Sequence, residues 1–154
     1  MKVIVLNGGK FSSIEGAVIR FKNLVVNSGV EVVWVDPVTS RDLYKTEDLD
    51  LAVPENVTLV PGKKCSKNPL LELLAREKHF LKAVTENPAD VCVIYNSWGT
   101  HLARKYLKKK GTPIVFDYID LMHAFRKNLV ESFAAKKSTL SAFNDSRMVI
   151  TTAH

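Results

Sequence analysis

The sequence has little of what would mark a secreted, metal-bound or membrane-spanning chain. It holds two cysteines in 154 residues, Cys65 and Cys92. Their separation matches no metal-ligand spacing, and two thiols do not make the disulfide framework of a small extracellular domain. Cys92 sits inside an apolar run and is expected to be a buried free thiol. No apolar run approaches the roughly 20 residues that cross a bilayer. The opening run, Val3 to Leu6, is too short for the core of a secretion signal, and no small-residue cleavage site follows it. Aromatic residues make up 8%. None interleaves with the clusters Lys63-Lys64, Lys108-Lys109-Lys110 and Lys136-Lys137 as a platform for single strands requires, so nucleic acid is not an expected partner. Also absent are G-x-G-x-x-G, the P-loop, G-x-S-x-G and H-E-x-x-H. A metal site and a self-contained hydrolytic triad are therefore not expected. The expected location is the cytoplasm.

What is there is a hydrophobic content of 46% and a formal net charge of +6. At this length the natural reading is one domain, residues 1–154, with a proper core. The charge suits phosphate-bearing ligands, nucleic acid or an anionic membrane surface, and is too small to choose among them.

Apolar strands alternate with helical patterns from one end to the other. Val3 to Leu6, Val30 to Val35, Val57 to Val60, Val91 to Tyr95, Ile114 to Phe116 and Met148 to Thr151 read as strands. Between them, Ile14 to Val25, capped by Gly29, is periodic at helical spacing. Asn68 and Pro69 read as an N-cap and first helical residue, opening a stripe of Leu70, Leu73, Leu74, Leu81 and Val84. Leu102, Ala103, Tyr106 and Leu107 mark a helix that stops at Gly111. Met122, Phe125, Leu129 and Phe133, then Leu140 and Phe143, mark a long one. The charged stretch Pro37 to Asn56 is expected to hold a short helix around Arg41 to Leu49. Strands that are continuously apolar and alternate with helices imply parallel crossovers with both sheet faces covered. The expected fold is α/β, a three-layer Rossmann-like doubly wound parallel sheet of about six strands.

In such sheets ligands bind outside the carboxyl ends of the strands. Those ends are polar here. They carry Asn7, Gly8, Gly9 and Lys10, then Asp36, then Pro61 to Lys63, then Asn96, Ser97, Trp98 and Gly99. Asp117, Tyr118 and Asp120 follow the fifth strand, and Thr152 and His154 the sixth. Gly8-Gly9 is either a plain turn or a set of bare amides that hold a phosphate. Ser12 to Glu15 fits a capping box. Ser97 or Thr100 reads equally as a helix N-cap, and Asp120 as cap or ligand. Trp98 is a core residue or an indole that stacks on a sugar ring. His79 reads as surface or packing, while His101, His123 and His154 fall near the cleft.

Two blocks carry a resemblance. Ala89 to Trp98 (ADVCVIYNSW) and Gly111 to Asp120 (GTPIVFDYID) resemble the fourth and fifth strand segments of GT-B fold glycosyltransferases, especially the retaining group related to glycogen synthase. Asp145 to His154 resembles the segment that ends their N-terminal domain, and Met1 to Gly16 their first strand and loop. Two departures stand out: Ser12-Ser13-Ile14-Glu15 replaces the Gly-Gly-x-Glu/Gln loop, and Asp117, Tyr118 and Asp120 precede His123 where many members place a histidine. The resemblance implies an N-terminal, acceptor-side half that transfers a sugar from a nucleotide-sugar to a polysaccharide or lipid-linked acceptor. It also implies a C-terminal donor-binding domain in cis or trans, without which this half is inactive. The chain ends where that domain is expected to begin.

On this reading Asp117, Asp120 and His123 are the candidate catalytic residues. Gly8, Gly9, Lys10, Asn96, Ser97, Trp98, Tyr118 and His154 are the candidate substrate-binding residues. No cofactor is expected beyond the donor substrate, and the basic clusters suit peripheral contact with the inner membrane face. The alternatives are a non-catalytic module for a nucleotide or phosphometabolite, or a partner subunit of a catalytic chain.

Overall fold

A computed structural model describes residues 1–6, 9–11, 19, 22–23, 28–39, 53–118 and 129–151. It is α/β. Six strands form one sheet: β1 (Lys2–Leu6), β2 (Glu31–Val35), β3 (Val57–Val60), β4 (Val91–Ile94), β5 (Ile114–Tyr118) and β6 (Met148–Thr151). The described residues hold three helices: α1 (Pro69–Glu86), α2 (His101–Lys110) and α3 (Leu129–Asp145). Every strand pair is parallel, in the order β3-β2-β1-β4-β5-β6. The expected doubly wound sheet is therefore present. The expected helix at 41–49 and capping box at 12–15 lie outside the described residues.

The order explains the layers. The chain steps from β1 to β2 and β3 toward one edge and then to β4, β5 and β6 toward the other, and the three described helices pack into the core on one face. The core divides accordingly. Ile4, Leu6, Val33 and Val35 face Phe80, Ala83 and Val84 of α1, Ala103 and Leu107 of α2, and Ala142 of α3. Their strand neighbours Val3, Val5, Val32 and Trp34 face the opposite way and pack with Phe11. Successive side chains serve opposite faces, so a strand buried on both needs an unbroken apolar run. The edge strand β6 departs from this. Val149 packs toward the α3 face, while Met148 and Ile150 point the other way and stay exposed.

Helix ends follow local chemistry. Asn68 Oδ1 accepts the amides of Leu70 and Leu71 at 3.0 and 3.3 Å, and Pro69 supplies a first residue that needs no amide partner. Gly111 ends α2 in the left-handed region, φ 74°. The expected stripes hold in part: Leu81, Val84 and Phe143 pack on the core, and other members do not. On α1 the buried residues are Arg76, Phe80, Ala83 and Val84, while Leu70 and Leu74 are exposed. On α3 the buried residues are Ala135, Thr139 and Ala142, while Leu129, Phe133 and Leu140 face solvent. Small residues let these helices approach the sheet and each other closely, so the inward face is not the most apolar one.

Candidate functional site

The strand order places a switch between β1 and β4. The chain leaves β1 toward one edge of the sheet and leaves β4 toward the other, so the two exits part and open a crevice. The Tyr95 amide donates to Leu6 O at 3.1 Å at the ends of the two strands. Gly9 and Lys10 lie on one side, Asn96 and Trp98 on the other.

The β1 exit is held by the β2 exit. Phe11 N–H donates to Asp36 Oδ1 at 2.8 Å, and the Phe11 ring meets Trp34 edge-on at 5.2 Å. Lys22 Nζ donates to Phe11 O at 2.7 Å and lies 4.8 Å from the centre of its ring. Burial pushes the Asp36 carboxyl above its ordinary range, against the Phe11 amide, the Trp34 side chain and the charge of Lys10. Burial likewise lowers Lys22.

The β2 and β3 exits run side by side. Thr39 and Lys64 form a parallel bridge, and the Cys65 amide donates to Thr39 O at 3.2 Å. Gly62 passes so close to the Pro37 carbonyl that a Cβ there would overlap it. Helix α1 braces this ribbon from below. Arg76 donates from Nε and Nη2 to Val38 O at 3.2 and 3.1 Å, and from Nη2 to Glu72 Oε1 at 3.2 Å. One turn on, His79 Nε2 donates to Asp36 O at 3.0 Å, and burial holds the imidazole below its ordinary pKa. His79 is thus neither surface nor plain packing: it supports the residue that holds the β1 loop.

The β4 exit is fixed from several directions. Asn96 Oδ1 accepts the Trp98 amide at 2.9 Å, a local turn. Gly99, at φ 78°, lies against the Arg76 side chain. Thr100 occupies the cap position of α2, but its Oγ1 donates to Ser97 O at 2.7 Å. The cap comes from α1: Glu77 accepts the amides of His101 and Leu102 at 3.0 and 2.7 Å. Helix α3 contributes Ser138, whose Oγ donates to Ser97 O at 3.0 Å, and Thr139, whose Oγ1 lies 3.4 Å from Ser97 Oγ. Beneath them the buried Arg104 donates to Thr100 Oγ1 at 3.2 Å, to Ser141 Oγ at 3.1 Å and to Asp145. Its pKa is lowered by burial, against the nearby carboxylates.

Of the residues expected at the site, Gly9, Lys10, Asn96 and Trp98 flank the crevice. Ser97 is buried and fastens its loop to α3. Asp117 is 1% exposed, in register with Ile150 of β6. Tyr118 packs on Phe116 and Phe143, with ring centres at 5.7 and 5.1 Å. Gly8, Asp120, His123 and His154 lie outside the described residues. Among the described residues no group of three His, Cys, Asp or Glu side chains is placed to hold a metal, and no helix is long and apolar enough to cross a membrane. Cys92 is a buried free thiol, pushed up by burial.

Sequence reasoning missed Arg76, Glu77 and Arg104. The signal for Arg76 is a cation on the helix face that Phe80, Ala83 and Val84 define. Glu77 caps a helix 24 residues away, which no local motif announces. Chemically, the described residues at the crevice include a glycine, a cation and an indole on a braced frame. These groups suit a phosphate and a sugar ring.

Comparison of the sequence with protein families and with curated proteins finds no match. Among solved structures the fold is similar to that of Os79 from O. sativa, in complex with UDP and deoxynivalenol-3-glucoside. The TM-score is 0.59 at 13% identity, covering 99% of this chain and 47% of that one. A crystal structure of Os79 with UDP gives 0.53 at 14%, covering 98% and 46%. The chain spans about half the length of the Os79 chains it matches.

Proposed function

We propose that the chain is the acceptor-side half of a two-domain GT-B glycosyltransferase that moves a sugar from a nucleotide-sugar to a polysaccharide or lipid-linked acceptor. The observation that carries this reading is the braced crevice between the β1 and β4 exits, in a fold that aligns along nearly all its length with part of Os79. Os79 was crystallised with UDP and a glucoside, and a nucleoside diphosphate and a glycoside are the two products of such a transfer. The motif resemblance adds the retaining, glycogen-synthase-like group as the finer assignment.

In glycosyl transfer the anomeric carbon gains positive charge as the phosphate departs. The protein must orient the acceptor and stabilise the leaving group. On this reading the segment Gly8 to Lys10 binds the phosphate. Trp98 gives the sugar ring a flat apolar surface, and Asn96 and His154 complete the rim. Ser97 and Tyr118 act through the frame. On this reading Asp120 hydrogen-bonds the acceptor hydroxyl, or takes its proton in an inverting reaction, and His123 is the third catalytic candidate with Asp117. The donor is held mainly by a second domain, in cis or in trans.

The test is turnover by the complete protein, with its donor-binding domain, on UDP-hexoses and a lipid or polysaccharide extract. UDP release that depends on acceptor is expected, with Asp120→Asn slower by about a hundredfold or more. Nucleotide bound without turnover would favour the binding-module reading. Failure to bind any nucleotide-sugar would remove the proposal.

A further inference from the structure

Helix α1 turns an apolar patch outward. Leu70, Leu71 and Leu74 are 71%, 53% and 56% exposed. At spacings of three and four residues they share one side of the helix, opposite Arg76, Phe80, Ala83 and Val84. Lysines surround them. Lys63, Lys64 and Lys67 precede the patch, Lys78 and Lys82 continue along the same side, and all five are exposed.

Two carboxylates of this segment are engaged elsewhere, and a third is paired with one of these lysines away from the leucines. Glu72 pairs with Arg76, Glu77 holds the first amides of α2, and Glu86 pairs with Lys82 at the far end of the helix. Among the described residues the outward face is therefore apolar and cationic, and no carboxylate of α1 points outward beside the leucines.

We propose that this face docks on an anionic bilayer surface, with the three leucines entering the headgroup boundary and the lysines meeting lipid phosphates. A protein partner fits less well, because lysine is depleted in protein interfaces and enriched around membrane-docking helices. The position of the face fits such a role. Helix α1 starts from the β3 exit, so its first turns stand at the rim where the strands end and the crevice opens. Docking there brings the crevice to the membrane. Resting on the transfer reading, this makes the acceptor a lipid-linked one presented at the bilayer surface.

The experiment is co-sedimentation of the protein, without any nucleotide-sugar, with phosphatidylcholine vesicles carrying about one-third phosphatidylglycerol. Binding is expected to these vesicles and to be much weaker with phosphatidylcholine alone. Leu71→Ser with Leu74→Ser should lower the partition coefficient by about tenfold or more. Lys63→Gln with Lys64→Gln and Lys67→Gln should do the same and reduce its salt sensitivity. Leu140→Ser changes an exposed leucine of α3 and should leave binding unchanged. The proposal is overturned by absence of binding, by equal loss in Leu140→Ser, or by a native dimer that the leucine changes dissociate without any vesicle binding. That last result would make the occupant a second copy. Transfer to a water-soluble acceptor without vesicle binding would remove the membrane role alone. Vesicle binding without transfer would remove the transferase reading alone.

Discussion

Gly99 rests on the side chain of Arg76: a Cβ at residue 99 would stand 2.5 Å from Arg76 Cδ and 2.7 Å from its Cγ. The contact joins the β4 exit to the helix that braces the β2 exit, so two sides of the crevice share one arginine. Gly99 also holds φ 78°, where a side chain is strained on its own account.

Gly99→Ala should therefore cost about 2–3 kcal/mol, from left-handed strain and overlap together. Arg76→Ala should cost a similar amount, about 2–3 kcal/mol, because Val38 O and Glu72 lose a buried donor. The double variant should cost less than the sum by about 1 kcal/mol, since shortening Arg76 opens the space a new methyl needs. Urea unfolding of the four proteins measures this. Strict additivity would show that the contact does not set the cost.

Arg104 and Asp145 make the corresponding tie on the α3 side. The arginine is fully buried and gives Thr100, Ser141 and Asp145 their donor. Arg104→Met keeps the apolar volume but leaves Asp145 with Lys108, at 3.2 Å, as its remaining ion-pair partner here. A loss of about 3 kcal/mol is expected, of which Asp145→Asn in the same chain should restore part. A double variant no more stable than Arg104→Met would show that the buried charge is not the source of the cost.

The architecture was readable because it rests on period. Val3 to Leu6 and Glu31 to Val35 are apolar at nearly every position, as both-faced burial demands, and helical spacing separates them. The rim loops followed from the rule for strand ends, which needs no contact information. What stayed hidden depends on pairs distant in sequence. Asp36 holds an amide 25 residues earlier, and Arg104 reaches Asp145 41 residues later. The misjudged stripes have a different cause. Leu70 and Leu74 are more apolar than Ala83, yet the inward side of α1 must fit against α2 and the sheet, where Arg76 and Ala83 fit and the leucines are left outside.

Glu77 offers a local test of the frame. Its two oxygens accept the first two amides of α2, a place where a carboxylate also meets the positive end of the helix dipole. Glu77→Ala should destabilise the chain by about 1 kcal/mol. Hydrogen exchange locates the effect: the amides of His101 and Leu102 should lose protection while those of β1 keep it. Uniform loss across the sheet would mean that Glu77 stabilises the domain in some other way.

His79 sets a pH dependence whose sign follows from its surroundings. Burial holds the folded imidazole below the ordinary value of 6.5, with the Asp36 carbonyl opposing the shift less strongly than burial drives it. The folded chain therefore binds fewer protons than the unfolded chain between the lowered value and 6.5. The contribution of His79 is complete above pH 6.5 and is lost as the pH falls through the folded value. Asp36 behaves in the opposite sense. Its carboxyl is raised from 3.8, so its contribution is present at low pH and falls as the pH climbs from 3.8 through the raised value. His79→Gln keeps a neutral donor for the Asp36 carbonyl but cannot take up a proton. Urea midpoints of the native chain should fall between about pH 7.5 and 5.5, and His79→Gln should flatten that slope. The change should reach the crevice, because Asp36 is also the acceptor for Phe11. The amide resonance of Phe11 should shift across the same pH range in the native chain and shift less in His79→Gln, where Asp36 alone still titrates beside it. A native chain equally stable at both pH values, or a variant with the native slope, would remove His79 as the group that titrates.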